Sequence, residues 1–551
     1  MLAPLSVHPL HPPPRPPQVI PEDISWIVKR AAERGYPIPS AFMSSKSEAG
    51  INHKTYGVTS EGVQVFLDVA LREMGMHPSQ RSSRSHDNGN DDVDDDDEGA
   101  ATAGADNDGT FTVKMTGGPD GDVAGNMIKI LNREYGGACK IVGLADATGC
   151  AEDPEGLAMG ELLRLVNEEL PIAAFDASKL SGDTRSRLSV CDPRYLSNDN
   201  DNSEVGLESA LRARNTMHNR VVADAFIPAG GRPSTVHEGN WRQFLQPSNG
   251  KPSAKLVVEG ANLFITPGAR EKLFKECALP IVKDSSANKC GVICSSYEIA
   301  SSMLLDEKEF LRHKESIVED VLVRLRSLGQ REAELLFREF RARPGALPHF
   351  SMRISEAINK LTDAIAARLP DTYSSEEEHQ DGGGAYGASS GGSGGDSAIS
   401  SANAPQHLDD LIHLVHGHLP NKLVELGADR LEAAVPKAYV KYAIASTLAS
   451  KIVYQEGVEF VGQHPSDDRL AALAFDFLQA EGAVADIVEL MGHLDWDAAA
   501  AAASGTSASD EVSDSSSQPQ QQPRDLARAK EVAMRIVQDG GIRAYLANQI
   551  K

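Results

Sequence analysis

Residues 115–126, MTGGPDGDVAGN, crowd four glycines and two acids between an apolar run that reads as a strand, FTVKM, and a stretch with helical spacing, NMIKILNREY. Strand, glycine turn and helix start in succession point to a phosphate cradle. The first N–H groups of a helix and its dipole attract a pyrophosphate, and glycine lets the backbone come close to it. Sharp turns also need residues without a Cβ for purely steric reasons, so the turn alone leaves a nucleotide and a steric role equally open.

Further short apolar runs recur between amphipathic stretches downstream of this turn: CKIVGLAD, VVADAFIP, KLVVEGAN and LPIVKD. This is the βαβ rhythm of an α/β, Rossmann-like doubly wound sheet, in which the ligand crevice lies outside the carboxyl ends of the strands. The second run ends in Asp146, 25 residues after Gly121, near the spacing of the acid that accepts both adenosine ribose hydroxyls of NAD. A carboxylate there repels a 2′-phosphate, and no arginine directly follows in DATGCAEDPEGL, so the pattern predicts NAD rather than NADP. An Asp that merely caps a turn accounts for Asp146 equally well.

The 551 residues suffice for two to four domains, with an apolar fraction of 41% that is usual for globular chains. No window approaches the run of about 18 apolar residues that spans a bilayer, and the start MLAPLSVHPLHPPPRPPQ is too rich in proline for a signal peptide. A formal charge of −25 argues against nucleic acid or an anionic membrane as partner. Six scattered cysteines without CxxC spacing predict reduced thiols, hence a cytoplasmic or mitochondrial rather than secreted protein, and no zinc site. His413, His416 and His418 in HLVHGHLP lack a carboxylate or cysteine at ligand spacing and read as a solvated helix face, so no metal is expected.

Three segments read as insertions. Residues 86–109 hold ten acids and no lysine or arginine, 374–404 are rich in Gly and Ser, and 498–523 in Ser and Gln. Such compositions cannot bury enough apolar area to order themselves.

The blocks SKSEAGINHKTYGVTSEGV, GGPDGDVAGN, DATGCAEDPEGL, FDASKLS, ADAFIPAGGRP, VEGANLFITPGAR and KDSSANKCGVICSSYEIA, with LPNKLVELGADRLEAAVPKAYVKYAIASTLASKIVY further on, stand in an order that resembles the large NAD-specific glutamate dehydrogenases of the glutamate/leucine/phenylalanine/valine dehydrogenase superfamily. The resemblance implies NAD-dependent oxidative deamination of L-glutamate to 2-oxoglutarate and ammonia, by a homo-oligomer in the full-length form. It makes Gly118, Gly121, Asp122, Val123 and Ala124 the pyrophosphate turn and Asp146 the ribose acid. Ala229, Gly230, Asn262 and Asn288 line the dinucleotide towards the nicotinamide, which Thr59 faces; Val292 and Ser295 meet the substrate, with Ser295 on its side-chain carboxylate. Taken alone, Ser295 reads equally as a helix cap, Val292 as core and Asn262 as turn chemistry.

The organisation that follows is a proline-rich leader (1–20), the end of a substrate domain (21–78), an acidic insertion (79–110), the NAD-binding domain (111–303), helices that complete the substrate domain (304–373), a linker (374–404), a C-terminal helical region (405–497), a second linker (498–523) and a last helix (524–551). In the family the proton-handling lysines and Asp lie upstream of the threonine block, and nothing like those segments is found here; neither Lys46 nor Lys54 is assigned that role. The expectation is a chain inactive by itself, or a non-catalytic NAD-binding chain that needs a partner.

Overall fold

Phe111–Thr116 (β1) is the centre of the fold: Phe111, Val113 and Met115 are completely buried, as is Lys114 between them. A strand covered on both faces needs neighbours on both edges. β1 pairs in parallel with Cys139–Ala145 (β2) on one side and Ala223–Pro228 (β5) on the other. Beyond β5 come Ala254–Val258 (β6) and Ile281–Val282 (β7), both parallel. Beyond β2 the sheet turns antiparallel through Gly149–Glu152 (β3) and Arg187–Val190 (β4), for the order β4-β3-β2-β1-β5-β6-β7. The direction of winding reverses at β1, the place where doubly wound sheets open their crevice. The five runs read from the sequence are these five parallel strands. The edge pair β3 and β4 was not anticipated, because GCAE and RLSV are too short and too mixed to show a period of two.

The computed structural model describes residues 21–44, 46, 48–84, 109–196, 204–374, 405–464 and 466–492. The leader, residues 85–108 of the acidic insertion, the linker beyond Ser374, the second linker and the last helix expected from the sequence lie outside the described residues; residues 79–84, expected in that insertion, are helical instead.

The helices are Pro21–Glu33 (α1), His53–Tyr56 (α2), Val58–Glu73 (α3), Pro78–Arg84 (α4), Asp122–Tyr135 (α5), Met159–Asn167 (α6), Glu204–Arg220 (α7), Pro267–Cys277 (α8), Asp284–Ala287 (α9), Cys290–Leu304 (α10), Glu307–Ala342 (α11) and Leu347–Ala366 (α12). After them come Ile412–His418 (α13), Asn421–Gly427 (α14), Leu431–Ala434 (α15), Lys437–Glu456 (α16), Glu459–Gly462 (α17) and Asp467–Gly492 (α18). The 36-residue α11 opens on a capping box in which Asp306 and Glu309 each accept from the other's backbone N–H. Its stripe of Ile317, Val318, Val321, Leu325 and Leu336 is buried, as a helix with one apolar face requires.

The chain divides into two units, residues 1–351 with 419–435, and residues 352–418 with 436–551. The first holds the sheet. In the second, α16 buries Val440, Ile444, Leu448 and Ile452 at helical spacing, packed against α13. No described helix is long and apolar enough to cross a membrane, and no three His, Cys, Asp or Glu among the described residues are placed to hold a metal. His413 is exposed, whereas His416 and His418 are partly buried, so that helix face is only in part a solvated one.

Candidate functional site

The carboxyl ends of β1, β2 and β5 are latched to one another by their own backbones. Gly117 N–H donates to Ala145 O at 2.8 Å and Ala229 N–H to Thr116 O at 2.9 Å, while the Thr116 hydroxyl donates to Gly230 O at 2.6 Å. This brings the glycine turn against residues 229–230 more closely than side chains allow. A Cβ on Gly117, whose φ is +108°, would stand 2.9 Å from Ala124 Cβ and 3.0 Å from Gly230 N; one on Gly230 would stand 2.8 Å from Gly117 Cα. Gly117 was missed in reading the sequence, although the doubled glycine was its signal.

The turn then climbs to α5. Gly121 is the N-cap, in extended backbone and with no side-chain cap, so the first N–H groups of a 14-residue helix meet no side-chain acceptor at its cap. Gly118 stands below it: a Cβ there would collide with Asp120 Oδ1 and lie 2.8 Å from Asp146 Oδ2. Asp122, on the first turn, has a fully buried Oδ1 with no partner among the described residues. Burial pushes its carboxyl above the usual range, against the opposing pull of His53. Val123 and Ala124 turn their side chains into packing, Val123 towards Gly260 and Ala124 towards Gly117.

Asp146 ends β2 with a crowded carboxylate. Its Oδ1 accepts from Thr148 N–H at 2.7 Å, the Thr148 hydroxyl at 2.7 Å and Gly149 N–H at 3.3 Å, and its Oδ2 from Ile172 N–H at 2.7 Å. It therefore does cap a turn while standing at the mouth of the glycine cradle.

At the other side of the crevice, Asn288 Nδ2 donates to Gly260 O at 3.1 Å and to Asn262 Oδ1 at 2.7 Å, joining the loop after β6 to the end of α9. A buried trio that the sequence did not reveal holds both. Arg270 Nε lies 2.7 Å from Glu259 Oε2, and its Nη2 lies 3.1 Å from Asp284 Oδ1. Glu259 Oε1 accepts from Ile265 N–H at 3.0 Å, and Asp284 Oδ2 from Leu263 N–H at 2.7 Å. Burial pushes the Glu259 carboxyl up to about 7 despite Arg270. No local pattern marks these three, because their partners lie on different elements.

Thr59 comes from the first turn of α3 and lies against the start of α10, its Oγ1 3.2 Å from where a Cβ of Gly291 would be, with His53 Nδ1 at 3.7 Å from the same point. Ser295, one turn along α10, donates its hydroxyl to Gly291 O at 3.3 Å, an i−4 bond within the helix rather than a cap. Val292 is 75% exposed, so it is not core. Lys46 Nζ is held by Ser40 O at 2.9 Å and by the Ser302 hydroxyl, and burial lowers its pKa; Lys54 Nζ is paired with Glu169 at 2.9 Å.

The residues present fit a dinucleotide. The cradle of Gly117, Gly118 and Gly230 leaves no room for a Cβ, the start of α5 offers N–H groups without a side-chain cap, and an acid ends β2.

The sequence is similar to known proteins. The family described as Glutamate/Leucine/Phenylalanine/Valine dehydrogenase matches residues 101–342. A probable NAD-specific glutamate dehydrogenase of Schizosaccharomyces pombe is 28% identical over 467 residues, covering 83% of this chain and 35% of that protein. Glutamate dehydrogenase 2 of Dictyostelium discoideum is 29% identical over 456 residues, covering 79% and 36%. The chain thus spans about a third of the length of these relatives. A solved structure of the hetero-hexameric glutamate dehydrogenase from Thermus thermophilus, in a leucine-bound form, superposes with a TM-score of 0.33 at 16% identity, over 57% of this chain and 56% of that one. Over residues 101–342, the chain is thus similar to the glutamate/leucine/phenylalanine/valine dehydrogenase family.

Proposed function

We propose that this chain supplies the dinucleotide-binding part of an NAD-specific glutamate dehydrogenase, which converts L-glutamate to 2-oxoglutarate and ammonia. The observation that carries the reading is the glycine cradle at the ends of β1 and β5, with Asp146 beside it, in a chain similar to proteins named as glutamate dehydrogenases. NAD, when bound, accepts a hydride from the substrate α-carbon. The chain's own part is to hold and orient. The start of α5 and the backbone of residues 117–124 receive the pyrophosphate, the Asn262–Asn288 pair fixes the far end of the crevice, Thr59 faces it from α3, and Ser295 holds the side-chain carboxylate of glutamate.

Titration calorimetry tests the cofactor. The purified chain is expected to bind NAD and to bind NADP at least tenfold more weakly; equal or tighter binding of NADP overturns the reading.

A second reading, a chain that binds NAD and relies on a partner for proton transfer, is favoured by one observation: Lys46 and Lys54, the lysines near Thr59, are already engaged by Ser40, Ser302 and Glu169. Glutamate-dependent absorbance of NADH by the chain alone decides between the two, because proton transfer contributes about 10²–10⁴-fold that binding does not replace. The reading includes a homo-oligomer for the full-length enzyme and a cytosolic or mitochondrial location, tested by light scattering and by cell fractionation.

A further inference from the structure

The glycine turn carries an acid that neither the dinucleotide fingerprint nor the packing explains. Asp120 stands at the exposed tip between Gly118 and Gly121, in a turn one residue longer than the usual G-x-G-x-x-G spacing. Its Oδ1 and Asp146 Oδ2 bracket the same face of Gly118. Their surroundings differ. Asp146 already accepts four hydrogen bonds, three on Oδ1 from Thr148 and Gly149 and one, from Ile172 N–H, on the Oδ2 that faces Gly118. The carboxylate of Asp120 bonds only to its own backbone among the described residues. Partial desolvation at this exposed tip and the charge of Asp146 both push its pKa up, and the cation that opposes them, Lys54, is itself paired with Glu169 at 2.9 Å. The tip of the cradle therefore presents two neighbouring negative charges with little compensation, one of them with its acceptor capacity free.

Resting on the reading that this cradle binds NAD, we infer that Asp120 is a specificity-determining residue for the cofactor, accepting from the free hydroxyls of the adenosine ribose and excluding a 2′-phosphate, while Asp146 chiefly holds the turn on which the ribose sits. A ribose diol donates hydrogen bonds and gains from a carboxylate with open lone pairs. A phosphate monoester carries about −1.5 to −2 charges and only accepts, so it meets repulsion from both acids and a bond from neither. Charge repulsion of this kind is screened by salt, whereas a steric exclusion is not.

The test is titration calorimetry of the full chain with NAD and with NADP, for the wild type and for Asp120→Asn, at low and at high ionic strength, with melting temperatures of both proteins. Asn keeps the size of the side chain and a carbonyl acceptor but removes the charge. The expected result is a melting temperature within about a degree of the wild type, a ratio of NADP to NAD dissociation constants that falls about tenfold, equivalent to about 1.4 kcal/mol, and a salt dependence of that ratio that is present in the wild type and flattened in the variant. If the wild type prefers NAD and the ratio in Asp120→Asn is unchanged, the assignment to Asp120 is overturned and the NAD-binding reading stands. If the wild type binds neither dinucleotide, the reading itself fails, and the inference with it. A melting temperature that drops by many degrees would mean that Asp120 also holds the turn together; Asp120→Ser then decides, since a charge effect narrows the ratio in both variants alike and an unchanged ratio in the Ser variant overturns the inference.

Discussion

A carboxylate that accepts four hydrogen bonds is both a chemical group and a piece of scaffold, and Asp146 is this case. Asp146→Ser removes acceptors from the N–H groups of Thr148, Gly149 and Ile172. The loss of folding stability is expected to be about 1–3 kcal/mol, read as a lowered urea midpoint with an unchanged slope. NAD affinity falls with it, since the turn moves. Stability that matches the wild type would show that water replaces those acceptors at no cost. Ser295 is the opposite kind of residue. Its hydroxyl makes an i−4 contact to Gly291 O at 3.3 Å, long enough to be exchanged for a ligand. In an active assembly Ser295→Ala should raise KM for glutamate about tenfold, the worth of one hydrogen bond to a charged group, while the melting temperature and NAD affinity stay put. An unchanged KM would remove Ser295 from the substrate site.

Two elements owe their place to single buried charges. Glu61 on α3 is 3% exposed, with Arg133 of α5 at 2.8 and 3.0 Å and Arg326 of α11 at 2.9 and 3.2 Å, so one carboxylate ties three helices. Burial pushes its pKa up, but the two guanidinium groups overcome this and hold it below the usual glutamate range. A carboxyl whose folded pKa is depressed contributes stability that is fully present above its unfolded value and is lost as pH falls through the folded one. The wild type should therefore lose stability as the pH falls through the carboxylate range and below it. Glu61→Gln should melt several degrees lower at pH 7, by about 2 kcal/mol, and show a flatter acid limb. An acid limb that stays the same would assign the loss to other carboxylates.

Lys114 is the second such charge, completely buried in β1, its Nζ donating to His218 O and Val221 O at 2.7 Å and to Ser253 O and Oγ at 3.0 and 2.6 Å. It closes the end of α7 onto the entry to β6, beneath the rings of Phe226 and Phe244 at 5.4 and 4.7 Å. Burial lowers its pKa well below the usual lysine range. Lys114→Met keeps the volume and abandons three carbonyl oxygens, a loss of about 3 kcal/mol expected in chemical denaturation; a neutral outcome would mean that the loop at Ser253 relaxes to water.

Across the molecule, the chain forms two units, each discontinuous in sequence, with the sheet in one and the packed helices α13 and α16 in the other. Chains of this size with separate cores rarely unfold in one step. Scanning calorimetry should give a calorimetric enthalpy larger than the van't Hoff enthalpy, and NAD should shift only the part of the transition that belongs to residues 1–351 with 419–435, because a ligand stabilises what it binds. A single two-state transition shifted as a whole would mean that the two units melt together.

Whatever is periodic or local could be read directly from the residues. The parallel strands were legible because each is an apolar run ending in glycine or polar residues, the start of α5 because glycines precede a helical pattern, and α11 because its apolar positions recur at helical spacing. Packing settled what depends on distant partners. Lys114 stands inside a run that reads as apolar, and its acceptors lie 104 to 139 residues away; Glu61 finds its second arginine 265 residues on. The trio Glu259, Arg270 and Asp284, the antiparallel edge pair β3–β4, and the approach of Asp120 to Asp146 across Gly118 are of the same kind. Periodicity reports which face of an element is apolar, but the pairing of buried charges is settled only when folding brings them out of water, where an unpaired charge costs far more than it does in the unfolded chain.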